Sequence, residues 1–181
     1  MEKNVTLVAL FAALIAVLGL VPQIMLGFGV PITAQSLGVM LCGTVLGAKR
    51  GGLAVLLFVV LVALGLPLLS GGRGGLGVFS APSAGFVIGF PFAAFVTGLV
   101  TERLRSGNLA LVAGAASIVG CVVVLYAFGI VGFSLIAQKT LAEATMVMGV
   151  FIPGDLIKAI IAGVLTATLY KARPASVLSR A

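Results

Sequence analysis

Residues 109–131 read LALVAGAASIVGCVVVLYAFGIV, an apolar run without one charged residue. A helix needs about 20 mostly apolar residues to cross the hydrocarbon core of a bilayer, and this run meets that length. The rest of the chain repeats the character of this stretch. Of its 181 residues 61% are hydrophobic and 8% are charged, against about 25% charged in a soluble domain. The surface so implied faces lipid.

Further spans follow on either side. Lys3 and Lys49 are separated by 45 uncharged residues, enough for two passes. Pro22, Gln23, Gly27, Gly29, Pro31, Thr33 and Gln35 interrupt the middle of that stretch. Span 1 is therefore placed at about 5–26 and a shorter span 2 at about 34–48. Span 3 falls at about 52–69 and span 4 at about 84–101. Between them Ser70 to Ser83 holds five glycines and Pro82, which marks a loop. Span 5 is the quoted run. Span 6, about 153–170, opens on Pro153-Gly154, as a helix start favours. The stretch 134–150 is mixed in polarity and reads as an interfacial or re-entrant helix. The fold class is an all-α integral membrane protein. It forms a single transmembrane domain over residues 1–181, a bundle of six transmembrane helices with structured outer loops.

The net charge of +7 is no nucleic-acid signal, because the basic residues are scattered along the chain. Their distribution orients the bundle instead. With the N-terminus inside, the inner segments carry Lys3, Lys49, Arg50, Arg103, Arg105, Lys171, Arg173 and Arg180, and the outer ones only Arg73 and Lys139. Positive charge accumulates on the cytoplasmic side of membrane proteins, so both termini are placed inside. The Gly-, Pro-, Ser-, Thr- and Gln-rich loops 27–35, 70–83 and 132–153 then all fall outside. Polar backbone at membrane depth is tolerated where protein buries it or where it lines a cavity. A binding site belongs in the outer half.

Asp155, the sole aspartate, lies three residues before Lys158 in span 6. That spacing puts both on one helix face. Ionisable groups inside a membrane are costly and usually mark a substrate or ion path. A structural ion pair, or an acid favoured by the helix dipole, is the plainer alternative. Gly72-Arg73-Gly74-Gly75-Leu76-Gly77 spells a dinucleotide fingerprint but lacks the strand, helix and downstream acid which that site needs. Its glycines permit tight turns and close approach of backbone to a ligand, with Arg73 available for a carboxylate. Ala9 and Ala13, and Ala12 and Ala16, form two small-xxx-small patterns that let helices approach closely. On pattern alone, packing inside the bundle explains them equally well, as it does Gly43/Gly47 and Gly85/Gly89. Lys139 and Glu143, four apart, read as a solvated pair. Cys42 and Cys121 read as small core residues. The charged start at Glu2 and Lys3 mimics a signal peptide, but no clean cleavage site follows and the run is read as a span. No phosphate-binding loop is present, and with no histidine and one aspartate the histidine-based and aspartyl-dyad enzyme classes are excluded. No metal site is read.

GVPITAQSLGVMLCGTVLG (29–47), GLPLLSGGRGGLGVFSAPSAGFVIGF (65–90) and FIPGDLIKA (151–159) together resemble the BioY proteins. These are the biotin-specific substrate-binding (S) components of energy-coupling-factor (ECF) transporters, and the likeness covers most of the chain. One block departs from the family pattern: where G-P-T-G-G-Y is usual, residues 81–86 read APSAGF, so Phe86 lacks a hydroxyl. The resemblance implies uptake of biotin from the outer side of a bacterial inner membrane. It also implies docking on a transmembrane coupling protein that carries two ATPase subunits, with the alanine pattern of span 1 as the docking motif. Biotin is then the transported substrate, and no cofactor is implied. The expected substrate-binding residues are Asp155, Lys158, Arg73, Thr33, Gln35, Ser70, Gly75 and Phe86. Asp155 would accept from a ureido N–H, Lys158 would donate to its C=O, and Arg73 would meet the carboxylate. An S component for another vitamin, or a self-contained secondary transporter, are the alternatives.

Overall fold

The computed structural model describes residues 2–180 other than Leu26 and Phe28, without the side chains of Glu2 and Lys3. Leu26, the last residue expected in span 1, and the Lys3 side chain, counted among the inner charges, therefore lie outside the described residues. The chain runs through α1 (Glu2–Leu18), an antiparallel pair of two-residue strands β1 (Ile24–Met25) and β2 (Pro31–Ile32), α2 (Gln35–Leu46) and α3 (Ala48–Ala63). A loop with a 3-10 turn at Leu76–Ser80 leads to α4 (Ala84–Arg103). Next, α5 (Leu109–Ile118), a π-helical segment (Val119–Val124) and α6 (Leu125–Ala137) form one continuous helix. Then come α7 (Leu141–Gly149), α8 (Ile152–Ala172) and two 3-10 turns, Pro174–Ser176 and Leu178–Arg180.

Among the described residues, three helices are long and apolar enough to cross a membrane: Ala84–Arg103, Leu109–Ala137 and Ile152–Ala172. The others are shorter. The 12 residues of α2 reach about 18 Å at 1.5 Å per residue, well below a hydrocarbon core of about 30 Å. So short a helix survives because lipid does not surround it. It packs against α1, α3, α4 and α8, and most of its residues are buried. Its free backbone ends meet protein instead of hydrocarbon.

Several expected boundaries are corrected. Span 1 stops at Leu18, although the sequence stays apolar beyond it. The Gln35 Nε2 amide donates to Ile15 O at 3.1 Å and to Leu68 O at 3.0 Å, which fixes the end of α1 against the loop after α3. Gly19 lies so close to the Leu68 and Ala16 carbonyls that a Cβ there would collide with backbone. The chain therefore turns at Gly19 and spends the following residues on the β1–β2 pair. Span 3 starts earlier than expected, at Ala48, and ends at Ala63. Its start is set by Glu102, whose Oε1 accepts from the Ala48 N–H at 2.9 Å, a carboxylate placed at the positive end of a helix dipole. Later in the chain, α6 extends to Ala137, beyond the expected end of span 5, and Gln138 adopts a left-handed conformation. The mixed stretch that follows is a true helix, α7, opened by a capping box between Thr140 and Glu143. Lys139 and Glu143 form an exposed 3.8 Å pair, in agreement with their spacing. The Thr140 backbone N–H, and then its hydroxyl, hold the Glu143 carboxyl below the ordinary carboxylate range.

The packing has two apolar clusters. The larger runs through α1–α4 and on to the α5–α6 helix and α8, and includes Ile15, Met40, Phe58, Val87, Leu125 and Ala162. The smaller gathers Val30, Tyr126, Phe133, Ala144, Met148 and Phe151 beneath α7. Both cysteines are buried and free, as small core residues are. Gly43 packs on Ala94 and Thr97, and Gly85 and Gly89 pack on α6, so those small-residue pairs serve contacts inside the bundle. The alanine stripes of α1 separate: Ala12 is buried and Ala16 packs against the core, whereas Ala9 and Ala13 are exposed.

Candidate functional site

A pocket opens at the end of the bundle where β2, the loop after α3 and the start of α8 converge. Its cavity is about 70 Å³. Most of the lining is apolar: Val30, Ile32, Leu69, Phe86, Val87, Phe90, Leu125 and Phe151. Polar groups enter from three directions. Thr33, Gln35 and Ser36 come from the start of α2, Arg73 and Ser83 from the loop, and Asp155 and Lys158 from α8.

Asp155 and Lys158 form an ion pair at 2.8 Å. Pro153 near the helix start places Asp155 in the first turn of α8, at the positive end of the helix dipole. Two residues not singled out from the sequence complete the cluster. Ser36 Oγ donates to Asp155 Oδ1 at 3.1 Å and accepts from Lys158 Nζ at 2.9 Å. The Tyr126 hydroxyl donates to Asp155 Oδ2 at 2.7 Å. A carboxylate oxygen accepts about two hydrogen bonds and an ammonium donates three. Oδ1 is filled by Lys158 and Ser36, and Oδ2 holds only Tyr126. Among the described residues, the cluster thus retains one open acceptor on Oδ2 and one open donor on Lys158.

Arg73 donates through Nε to Ser70 O at 3.2 Å and through Nη1 to Ser83 Oγ at 3.0 Å. A guanidinium carries five donors, so the fork is held in place with donors to spare. Burial pushes its pKa below the usual guanidinium range, and the loop still presents a cation to the pocket.

The other residues expected at the site divide. Thr33 lines the pocket, its Oγ1 accepting from the Gln35 N–H at 3.3 Å. Phe86 lines it too, with its ring edge-on to Tyr126 at 5.9 Å. The hydroxyl missing at position 86 is therefore matched by one on the ring it touches. Gln35 borders the pocket but has no valence left for a ligand. Its amide donates twice, as described, and its Oε1 accepts from Ser70 N at 3.0 Å and Ser70 Oγ at 3.2 Å. Ser70 is fully buried behind it and does not line the pocket. Gly75 does not line it either. Its N–H donates to Val62 O at 2.8 Å and its φ of 79° serves the turn. Ser36 has a sequence signal in its place beside Gln35 at the polar start of a short helix. Tyr126 has one as well, because a phenol in an apolar membrane run must find a hydrogen-bond partner.

A helical membrane bundle that holds a mostly apolar pocket with a charged, hydrogen-bonded cluster at one wall defines a solute-capturing membrane protein. Residues 2–175 match the BioY family. The biotin transporter BioY of Rhodobacter capsulatus is 56% identical over 99% of this chain and 100% of its own length. That of Rhizobium etli is 53% identical over 90% of each. A crystal structure of the S-component for biotin from an ECF-type ABC transporter superposes with a TM-score of 0.88 at 34% identity, covering 94% of this chain and 92% of that one. The chain belongs to the BioY family.

Proposed function

We propose that this chain is the biotin-binding S component of an ECF-type transporter, a transport subunit and not an enzyme. The observation that carries this reading is the pair of valences left open by the charged cluster. One acceptor on Asp155 and one donor on Lys158 match the adjacent N–H and C=O of biotin's ureido ring. Phe86, Phe90 and Phe151 offer an apolar wall to the sulfur-containing ring, and Arg73 offers a cation to the valerate carboxylate. Biotin is the cargo, and binding requires no further cofactor.

The arrangement in the membrane follows from the same features. The chain crosses six times through α1, α2, α3, α4, α5–α6 and α8, with both termini inside. The basic turns around Gly47, residues 104–108 and the C-terminal segment lie at the end opposite the pocket. The pocket then faces outward, and Ala9 and Ala13 present the exposed small-residue stripe of α1 to a transmembrane coupling protein that carries two ATPase subunits.

Equilibrium binding of labelled biotin to the purified chain, without partners and in the presence of a chelator, tests the reading. Saturable binding near one biotin per chain is expected, and a folded protein that binds none overturns it. Orientation is tested by single cysteines in a variant lacking the native ones. Leu76→Cys, at an exposed position of the loop after α3, is expected to react with an impermeant thiol reagent in intact cells and Ser106→Cys is not; the reverse pattern would invert the topology.

A further inference from the structure

Tyr126 does not line the pocket, yet its hydroxyl reaches the carboxylate that does. It is 6% exposed and lies behind Asp155, with its ring seated edge-on against Phe86. It lies two residues after the end of the π-helical segment Val119–Val124. Each residue of a regular α-helix turns the chain by about 100°, so a π turn, which adds one residue, re-aims everything after it. The segment forms where Gly120 meets α4 so closely that a Cβ would strike Thr97 and the Ala93 carbonyl. Beyond it, α6 packs along α4 and α7 and Tyr126 faces Asp155.

We propose that Tyr126 is a positioning residue that sets the ligand specificity of the Asp155/Lys158 cluster, which rests on the biotin reading given above. By occupying one site on Oδ2, the phenol limits Asp155 to a single ligand N–H. The cluster then matches an N–H beside a C=O, the edge of a urea. A cyclic guanidine offers two N–H edges instead. Its best partner is a carboxylate with free acceptor sites, and Lys158 repels its charge. Loss of the phenol hydroxyl releases the second site on Oδ2 and leaves the carboxylate free to turn, which favours the guanidine and disfavours the urea.

The test compares Tyr126→Phe with wild type for biotin and for 2-iminobiotin, its cyclic guanidine analogue, both measured by equilibrium binding on fully folded protein. Phenylalanine keeps the ring and its packing. Biotin affinity is expected to fall on the order of tenfold, as for a lost hydrogen bond to a charged group, and the preference for biotin over 2-iminobiotin to narrow by at least as much. A purely structural role would weaken both ligands alike, so an unchanged preference overturns the proposal, as does unchanged or tighter biotin binding. A second measurement needs no ligand affinity. The chain has two tyrosines and no tryptophan, so Tyr170→Phe makes Tyr126 the sole emitter. A phenol donating to a carboxylate is quenched, and Asp155→Asn in that background is expected to brighten it. Unchanged emission would place the hydroxyl elsewhere and overturn the proposal. Failure of wild type itself to bind biotin would count against the biotin reading, while the emission result still reports on Tyr126.

Discussion

Helices α2 and α8 are joined by polar side chains at both ends, and the two ends differ in kind. At the end that the proposed orientation makes the outer one, Ser36 meets Asp155 and Lys158 beside a pocket. At the opposite end, the inner one in that orientation, Thr166 Oγ1 donates to Thr44 Oγ1 at 2.8 Å, and the Ser179 hydroxyl of the C-terminal turn donates to the Thr44 carbonyl. Thr44 and Thr166 are wholly buried and Ser179 nearly so. The inner contact is neutral and closed to water. The outer one is charged, borders a cavity, and keeps hydrogen-bonding capacity. Polarity inside a membrane bundle is therefore no guide to function by itself. Charge together with unused valence distinguishes the site from the fastening.

The strongest way to break this comparison is to neutralise the outer end. Asp155→Asn and Lys158→Met are each expected to weaken biotin binding tenfold to a hundredfold, from about 1.5–3 kcal/mol for a hydrogen bond to a charged group. Were the pair a fastening like its inner counterpart, removing one partner would instead strand a buried charge at about 3–5 kcal/mol of stability. The double change Asp155→Leu/Lys158→Met separates these outcomes in one binding titration and one melting curve. It should fold and fail to bind, and near-native affinity would remove both residues from the site. A middle-sized effect is expected on α1. Ala12→Leu overpacks the core and should cost about 1–3 kcal/mol of stability. Ala13→Leu should leave stability and biotin binding intact while abolishing uptake in cells that contain the whole transporter; equal damage to binding would mean that the exposed stripe packs inside the bundle. The smallest effect belongs to the inner end. Replacing Thr44 and Thr166 together by valine should change stability by no more than about 0.5–1.5 kcal/mol and leave biotin affinity unaltered. A loss of affinity there would show that the two ends are coupled through α2 and α8.

Much of this is legible in the sequence, for identifiable reasons. The runs that form α4, α5–α6 and α8 are long and apolar, and length is what hydropathy measures. Asp155 and Lys158 stand out because charge within a span is rare. The end of α1 is hidden because it is set by the remote Gln35 side chain, while the local sequence remains apolar through residues 19–21. Gln35 and Ser70 are visible as polar groups needing partners, but one sequence does not reveal that they satisfy each other. Gly75 marks a turn, and its positive φ speaks for the backbone alone, which is why it sits outside the pocket lining. That Tyr126 needs a partner is legible, but its aim at Asp155 is not, because that depends on a π turn, which leaves no mark in the hydrophobic pattern.

The cluster beside the pocket compensates its own charges, and this bears on what a ligand must do to bind. Asp155, Lys158 and Ser36 close a ring of hydrogen bonds, and Tyr126 donates to Asp155 from outside it. Each charge already has an opposite partner inside the bundle, and an arriving molecule need only occupy the valences left over.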